Sequence, residues 1–278
     1  MNEAVSTIKK QERCWQDRQG GTLQQEAYRR PGTRIMMEAQ FDRVAAMLKL
    51  EPGMRVLDLG CGAGLFLGWL RTHAKISCHG LDLSLNSLKS AQVGAVDLKL
   101  ILGDAESLPY KAHSFERISC NGAAHHLLDL GSAVHEMYRV LAPGGIAVMY
   151  EPNANVLTNL VRALFLNTDK YESPADLAHK DAFTPGSVRT ILQDTGFTDI
   201  RIGFYDFLAY PLSGMYIDLP LSRSRTANET TDPARKRLTT PVFPQTDLQL
   251  IRVASCRRCV QAAVGEKFIV SYWAICPG

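Results

Sequence analysis

The stretch from Val56 to Gly64, Val-Leu-Asp-Leu-Gly-Cys-Gly-Ala-Gly, restricts what this chain can fold into more than any other. Val56, Leu57 and Leu59 form a short apolar run, as expected of a strand buried on both faces of a parallel sheet. Gly60, Gly62 and Gly64 at alternate positions then force a turn in which the backbone can approach a ligand closely. Leu65 to Leu70 resumes with apolar residues suited to a helix. Strand, glycine turn and helix together present backbone N–H groups and a helix N-terminus to an anionic or polar group. The dinucleotide spacing G-x-G-x-x-G is not met, because Leu65 or Leu67 stands where the third glycine belongs. A second carboxylate, Asp82, ends the next apolar run, Ile76 to Leu81, where an acid suits ribose hydroxyls.

With Asp58 inside the D-x-G-x-G-x-G motif and Asp82 following, the sequence resembles the class I S-adenosylmethionine-dependent methyltransferases. The likeness is to the ubiquinone/menaquinone methyltransferase-like group that acts on small molecules. Two later stretches continue it. One is Asn121-Gly122-Ala123-Ala124-His125-His126-Leu127-Leu128-Asp129 after a fourth strand, Phe115 to Cys120. The other is the R-V-L-x-P-G-G pattern from Arg139 to Gly145. The likeness spans about Glu51 to Glu151.

The resemblance implies a doubly wound, Rossmann-like α/β fold with a largely parallel sheet and an antiparallel last strand. It also implies a helical N-terminal cap (1–50), a methyltransferase domain (51–278), and insertions after strands 5 and 6 (152–183 and 208–267) that cover the acceptor. S-adenosyl-L-methionine is the implied cofactor and no metal is expected. Gly60, Gly62 and Gly64 would approach its methionine part, and Asp58 would fix the loop and the cofactor's amino group. Asp82 would bind ribose, Leu83 would pack on adenine, Asp104 and Ala105 would meet the adenine edge, and Asn121 would line the methionine side. For Asp104 a turn or helix-capping role competes with this one. Tyr28 is the N-terminal residue expected near the cofactor mouth; a frayed tail with one packed aromatic is the other reading.

The implied activity is transfer of a methyl group to a small or lipid-like acceptor, by O- or C-methylation. Such acceptors lose a proton, and histidine suits that work near neutral pH. His125 and His126 are therefore the catalytic candidates, with His125 favoured; the alternative is a pair that only holds its loop. Two other classes stand beside this one. A cofactor-binding protein of the same fold that does not methylate would carry the same motifs. A nucleic-acid or protein methyltransferase is disfavoured, because no N/D-P-P-Y/F tetrapeptide and no appended RNA-binding module is found.

Elsewhere the reading is coarser. Met37, Phe41, Val44 and Leu48 recur at helical spacing, giving a helix to about Leu50 before Pro52-Gly53. Further expectations are a helix from Ser84 to about Ala91, a strand from Leu98 to Leu102, and a helix with Val134, Met137, Tyr138 and Leu141 on its inner face. Pro143-Gly144-Gly145 should break that helix and start a strand at Ile146 to Tyr150. Thr184 and Pro185 should open a helix that Gly196 ends. Strands are expected at 200–207 and 268–274, and helices at about 156–164 and 247–264. Cys256-x-x-Cys259 has no second pair to complete a zinc site. The Asn228 sequon has no secretory signal to give it meaning. Arg252, Arg257 and Arg258 read as a solvated helix face, with contact to an anionic membrane surface or a substrate phosphate as the alternative.

The formal net charge of +3 is too small to imply a nucleic-acid partner. Five basic residues and two acids between Ser222 and Thr240 account for a bias of that size locally. The seven cysteines are odd in number and scattered, which points to free thiols and a cytoplasmic setting. No apolar run is long enough to span a bilayer. Oligomeric state is not legible.

Overall fold

Residues 3–19, 22–94, 98–151, 173–174, 184–205 and 269–275 are described by the computed structural model. Strand β1 (Arg55–Leu59) lies inside the sheet, paired in parallel with β2 (Ser77–Asp82) on one side and β4 (Phe115–Asn121) on the other. Strand β3 (Lys99–Leu102) continues beyond β2, and β5 (Leu141–Glu151) beyond β4, both parallel. The backbones of β6 (Thr198–Tyr205) and β7 (Ile269–Ile275) complete a seven-stranded sheet of order β3-β2-β1-β4-β5-β7-β6. In it β7 runs antiparallel to both β5 and β6. The strand order reverses between β1 and β4, and in open α/β sheets ligands bind in the crevice outside the strand ends at that point.

Helices cover both faces because successive residues of the central strands point to opposite sides. Val56, Ile146, Val148 and Tyr150 pack with helices α3 (Pro31–Leu48) and α4 (Leu65–His73) and with Leu88 of α5 (Leu85–Gly94). Leu57, Leu59, Ile118, Ala147 and Met149 pack instead with α6 (Leu130–Val140) and α7 (Pro185–Thr195). Two helices, α1 (Glu3–Gln19) and α2 (Thr22–Arg29), precede them.

Several local signals act as the sequence suggests. Phe41, Val44 and Leu48 are the buried stripe of α3. Pro31 opens that helix at its first turn, where a missing N–H costs nothing. The Ser87 N–H donates to Ser84 Oγ at 3.1 Å, starting α5. Thr184 and Ser187 form a capping box for α7, and Gly196 ends it at φ +108°. One boundary differs. Leu141 is not on the inner face of α6 but opens β5, opposite Phe115, so the ladder begins before Pro143-Gly144-Gly145. A register shift between Phe115 and Arg117 absorbs the irregular turn.

The expected helices at 156–164 and 247–264 lie outside the described residues. So does all of the 208–267 segment and, apart from Ser173 and Pro174, the 152–183 segment. The same holds for Cys256, Cys259, the Asn228 sequon and the three arginines of 252–258.

Candidate functional site

The carboxyl ends of β1, β2, β3 and β4 converge on one crevice, and each brings a polar residue to it. At the end of β1 the three glycines adopt positive φ: +65° at Gly60, +52° at Gly62 and +70° at Gly64. Gly60 also needs the absence of a side chain, since a Cβ there would stand 2.3 Å from the Ala123 Cβ. The glycine loop is thereby pressed against the segment that carries His125 and His126. The N–H groups of Gly60 and Cys61 donate to the Leu81 carbonyl at 2.8 and 3.1 Å, which ties the loop to β2.

Asp82 binds the loop from the other side. Its Oδ2 accepts from the Gly62 N–H and its Oδ1 from the Ser84 N–H, both at 2.8 Å. Each oxygen keeps a further lone pair for a ligand hydroxyl. Burial raises the Asp82 pKa, against the pull of these two backbone donors. Asp58 lies deeper and is 2% exposed. Its Oδ1 accepts from Ser119 Oγ at 2.7 Å, across the pair in which Asp58 stands opposite Ser119 on β4. Desolvation pushes its pKa up to about 7, the Ser119 hydroxyl opposing and the Asp82 charge adding to the rise.

Asn121 ends β4, directly after Cys120, which faces Leu59 across the sheet. Both polar atoms of its side chain are buried without a hydrogen-bond partner among the described residues. A primary amide left so would cost roughly 1–3 kcal/mol, so a group that pairs with it from the crevice fits the site. Together with the glycine cradle, this is the feature that suits a bound cofactor.

On the β3 side, Leu83 and Asp104 line a cavity of about 390 Å³ whose other wall includes Lys9 and Arg13 of α1. Asp104 makes the competing turn contact, its Oδ1 accepting from the Glu106 N–H at 3.0 Å, and its Oδ2 pairs with the Lys9 ammonium. The Ala105 side chain is buried in the apolar cluster around Leu59 and Ile118. Tyr28 packs with the α3–α4 cluster, and its hydroxyl donates to Glu38 Oε1 at 2.8 Å. Burial and that carboxylate raise its pKa to about 12.

His125 and His126 share a single 3₁₀ turn, Ala124–His126, with ring centroids 4.0 Å apart. His125 Nδ1 is 2.7 Å from Glu151 Oε2. His126 Nδ1 is 3.0 Å from Ser173 Oγ and 3.3 Å from Glu12 Oε1.

Three side-chain sets at this crevice were not singled out from the sequence. Glu151 ends β5 as Asp82 ends β2, and the Glu-Pro pair after an apolar strand was a signal of the same kind. Glu106 accepts from the Leu128 and Asp129 N–H groups at 2.9 and 3.1 Å, joining the turns after β3 and β4. The third set is the inner face of α1. Asp17 Oδ1 accepts from Ser84 Oγ at 2.7 Å, Lys9 pairs with Asp104 and Glu106, and Glu12 and Trp15 meet His126. Among the described residues, no cluster of three His, Cys, Asp or Glu is placed to hold a metal ion. Among them, too, no helix is long and apolar enough to cross a membrane.

Comparison with known proteins places this geometry. Residues 57–149, from within β1 to near the end of β5, match the family described as "Methyltransferase domain". A malonyl-[acyl-carrier protein] O-methyltransferase of Methylococcus capsulatus is 36% identical over 54% of this chain and 54% of its own length. The chain thus spans about half the length of that curated relative. A demethylmenaquinone methyltransferase of Geobacillus kaustophilus is 27% identical over 59% of this chain and 79% of its own. Among solved structures, a Haemonchus contortus phosphoethanolamine N-methyltransferase 2 in complex with S-adenosyl-L-methionine shares the fold. Its TM-score is 0.52, at 18% identity, over 85% of this chain and 53% of that one.

Proposed function

We propose that the protein, whose residues 57–149 match a methyltransferase domain, transfers a methyl group from S-adenosyl-L-methionine to a small or lipid-like acceptor by O- or C-methylation. The observation that carries this reading is Asn121, a buried amide without a hydrogen-bond partner among the described residues, beside a glycine loop that fits a close-lying ligand. The cofactor supplies an electrophilic methyl group on a sulfonium, so the chain's own residues have to hold, orient and exclude water.

In this proposal Gly60, Gly62 and Gly64 admit the methionine portion, and Asn121 pairs with its polar end. Asp58, anchored to β4 through Ser119, helps fix the loop and the cofactor's amino group. Asp82 accepts from the ribose hydroxyls while holding Gly62 and Ser84. Leu83 packs on adenine, and Asp104 accepts from its amine with Ala105 beside it; Tyr28 belongs to the N-terminal cap that closes the mouth. His125 takes the acceptor's proton, with His126 next to it. Acceptor selectivity belongs to the N-terminal cap and to segments 152–183 and 208–267, because the strand ends are committed to the cofactor. The relatives' printed names include acyl-carrier-bound and quinone-type acceptors, which supports an acceptor with apolar surface. A cytoplasmic location belongs to the same proposal.

Calorimetry tests the cofactor: the protein binds S-adenosylmethionine and S-adenosylhomocysteine and leaves NAD unbound. Labelled methyl from the cofactor, offered with cell extract, should appear in a small product. Absence of binding to either cofactor form would overturn the reading.

A further inference from the structure

Glu151 is fully buried at the carboxyl end of β5, and its two oxygens have separate tasks. Oε1 accepts from the Ala123 N–H at 3.1 Å and the Ala124 N–H at 2.9 Å. Oε2 faces His125 Nδ1 at 2.7 Å. A carboxylate only accepts, so the contact puts a proton on Nδ1 and the basic lone pair on Nε2. The carboxylate itself is held on a strand whose backbone is paired on both edges, with Asn121's strand β4 and with β7. Its position is thus set by the sheet rather than by the turn that it orients.

We propose that Glu151 is the positioning residue of the site: it holds His125 in the tautomer with its lone pair on Nε2 and offsets the positive charge that arises when Nε2 takes a proton from the acceptor. The inference rests on the methyl-transfer reading and narrows it. The acceptor's reacting atom carries a proton to lose, as a hydroxyl or an acidic carbon does. The proton passes to Nε2 and the freed pair on the acceptor bonds the methyl carbon. The methyl–sulfur pair stays on sulfur, and the imidazolium returns its proton to solvent. The groups around His125 agree with a single cation there. Glu151 faces it from β5, with Cys120 of β4 behind that carboxylate, its Sγ 4.0 Å from Oε1. His126 lies beside it in the same turn, and Glu12 of α1 sits on the far side of His126.

Glu151→Gln separates the two tasks of the side chain. Its amide oxygen can still accept from Ala123 and Ala124, but its NH₂ then faces Nδ1 and drives the proton to Nε2. Histidine ¹⁵N–¹H long-range spectra, assigned by the signal lost in His125→Asn, read the tautomer without any substrate. The expected result is Nδ1–H in the wild type, Nε2–H in Glu151→Gln, and retention of Nδ1–H in Glu151→Asp. Turnover in Glu151→Gln falls about 10²–10⁴-fold, S-adenosylhomocysteine affinity changes less than about threefold, and the acid limb of the rate profile moves to lower pH. A wild-type His125 with its proton on Nε2 overturns the proposal even if Glu151→Gln does not fold. So does a tautomer or turnover indifferent to Glu151→Gln. Failure to bind S-adenosylhomocysteine would instead refute the methyl-transfer reading while leaving the tautomer result standing, so the two failures are distinguishable.

Discussion

Asp58→Asn turns the buried carboxylate under the glycine loop into a stability measurement. The Asp58 pKa rises from 3.8 to about 7 in the folded protein. The folded state therefore binds the proton more tightly than the unfolded chain, and stability is lost as pH rises. The contribution is complete below about pH 4, falls through the window between 3.8 and 7, and is gone above it. The full span is roughly 4 kcal/mol, and roughly 2–3 kcal/mol of it falls between pH 5 and pH 8. Urea unfolding followed at both pH values, extrapolated linearly to water, reads this directly. Wild type should lose roughly 2–3 kcal/mol more than Asp58→Asn on going from pH 5 to pH 8, because the amide keeps the Ser119 contact but cannot ionise. Titrating groups remote from Asp58 act in both proteins and cancel in the comparison. Asp82, whose charge adds to the Asp58 rise, titrates as a pair with it, and the difference belongs to that pair. An equal pH dependence in the two would refute the assignment of a proton-binding Asp58.

Asp82→Ala should weaken S-adenosylmethionine binding by about 1.5–3 kcal/mol, through lost ribose contacts and released Gly62 and Ser84 N–H groups; calorimetry giving undiminished affinity would remove the ribose assignment. Gly60→Ala combines positive φ with the Ala123 clash and should destabilise by roughly 2–5 kcal/mol. Adding Ala123→Gly should recover only the steric part of that loss in thermal or urea unfolding, whereas full recovery would mean that the backbone conformation costs nothing.

What the sequence made legible was local chemistry. The glycine loop, the Ser84 and Thr184 starts and the Gly196 stop each depend on a few consecutive residues, and each was readable for that reason. The acid at the end of β2 was readable from its place after an apolar strand. Glu151 has the same kind of place but went unread, because its partner His125 lies on another loop and only the β4–β5 pairing brings them together. Helix α1 is a different case. Its inner face carries Lys9, Glu12, Gln16 and Asp17, since it packs on polar strand ends and not on an apolar sheet. Hydrophobic periodicity has nothing to detect in such a helix. The start of β5 was missed because Leu141 is apolar in either assignment, and ladder pairing rather than composition decides between them.

The antiparallel pair β6–β7 lies at the margin of the sheet, joined through residues 206–268. The strands flanking this joint are held by backbone ladders, which are tolerant of side-chain change. What is written between β6 and β7 leaves the register of β1, β2 and β4 untouched, because none of these three strands pairs with β6 or β7. That makes the joint a place where descendants of one cofactor-binding scaffold can diverge without first risking the scaffold.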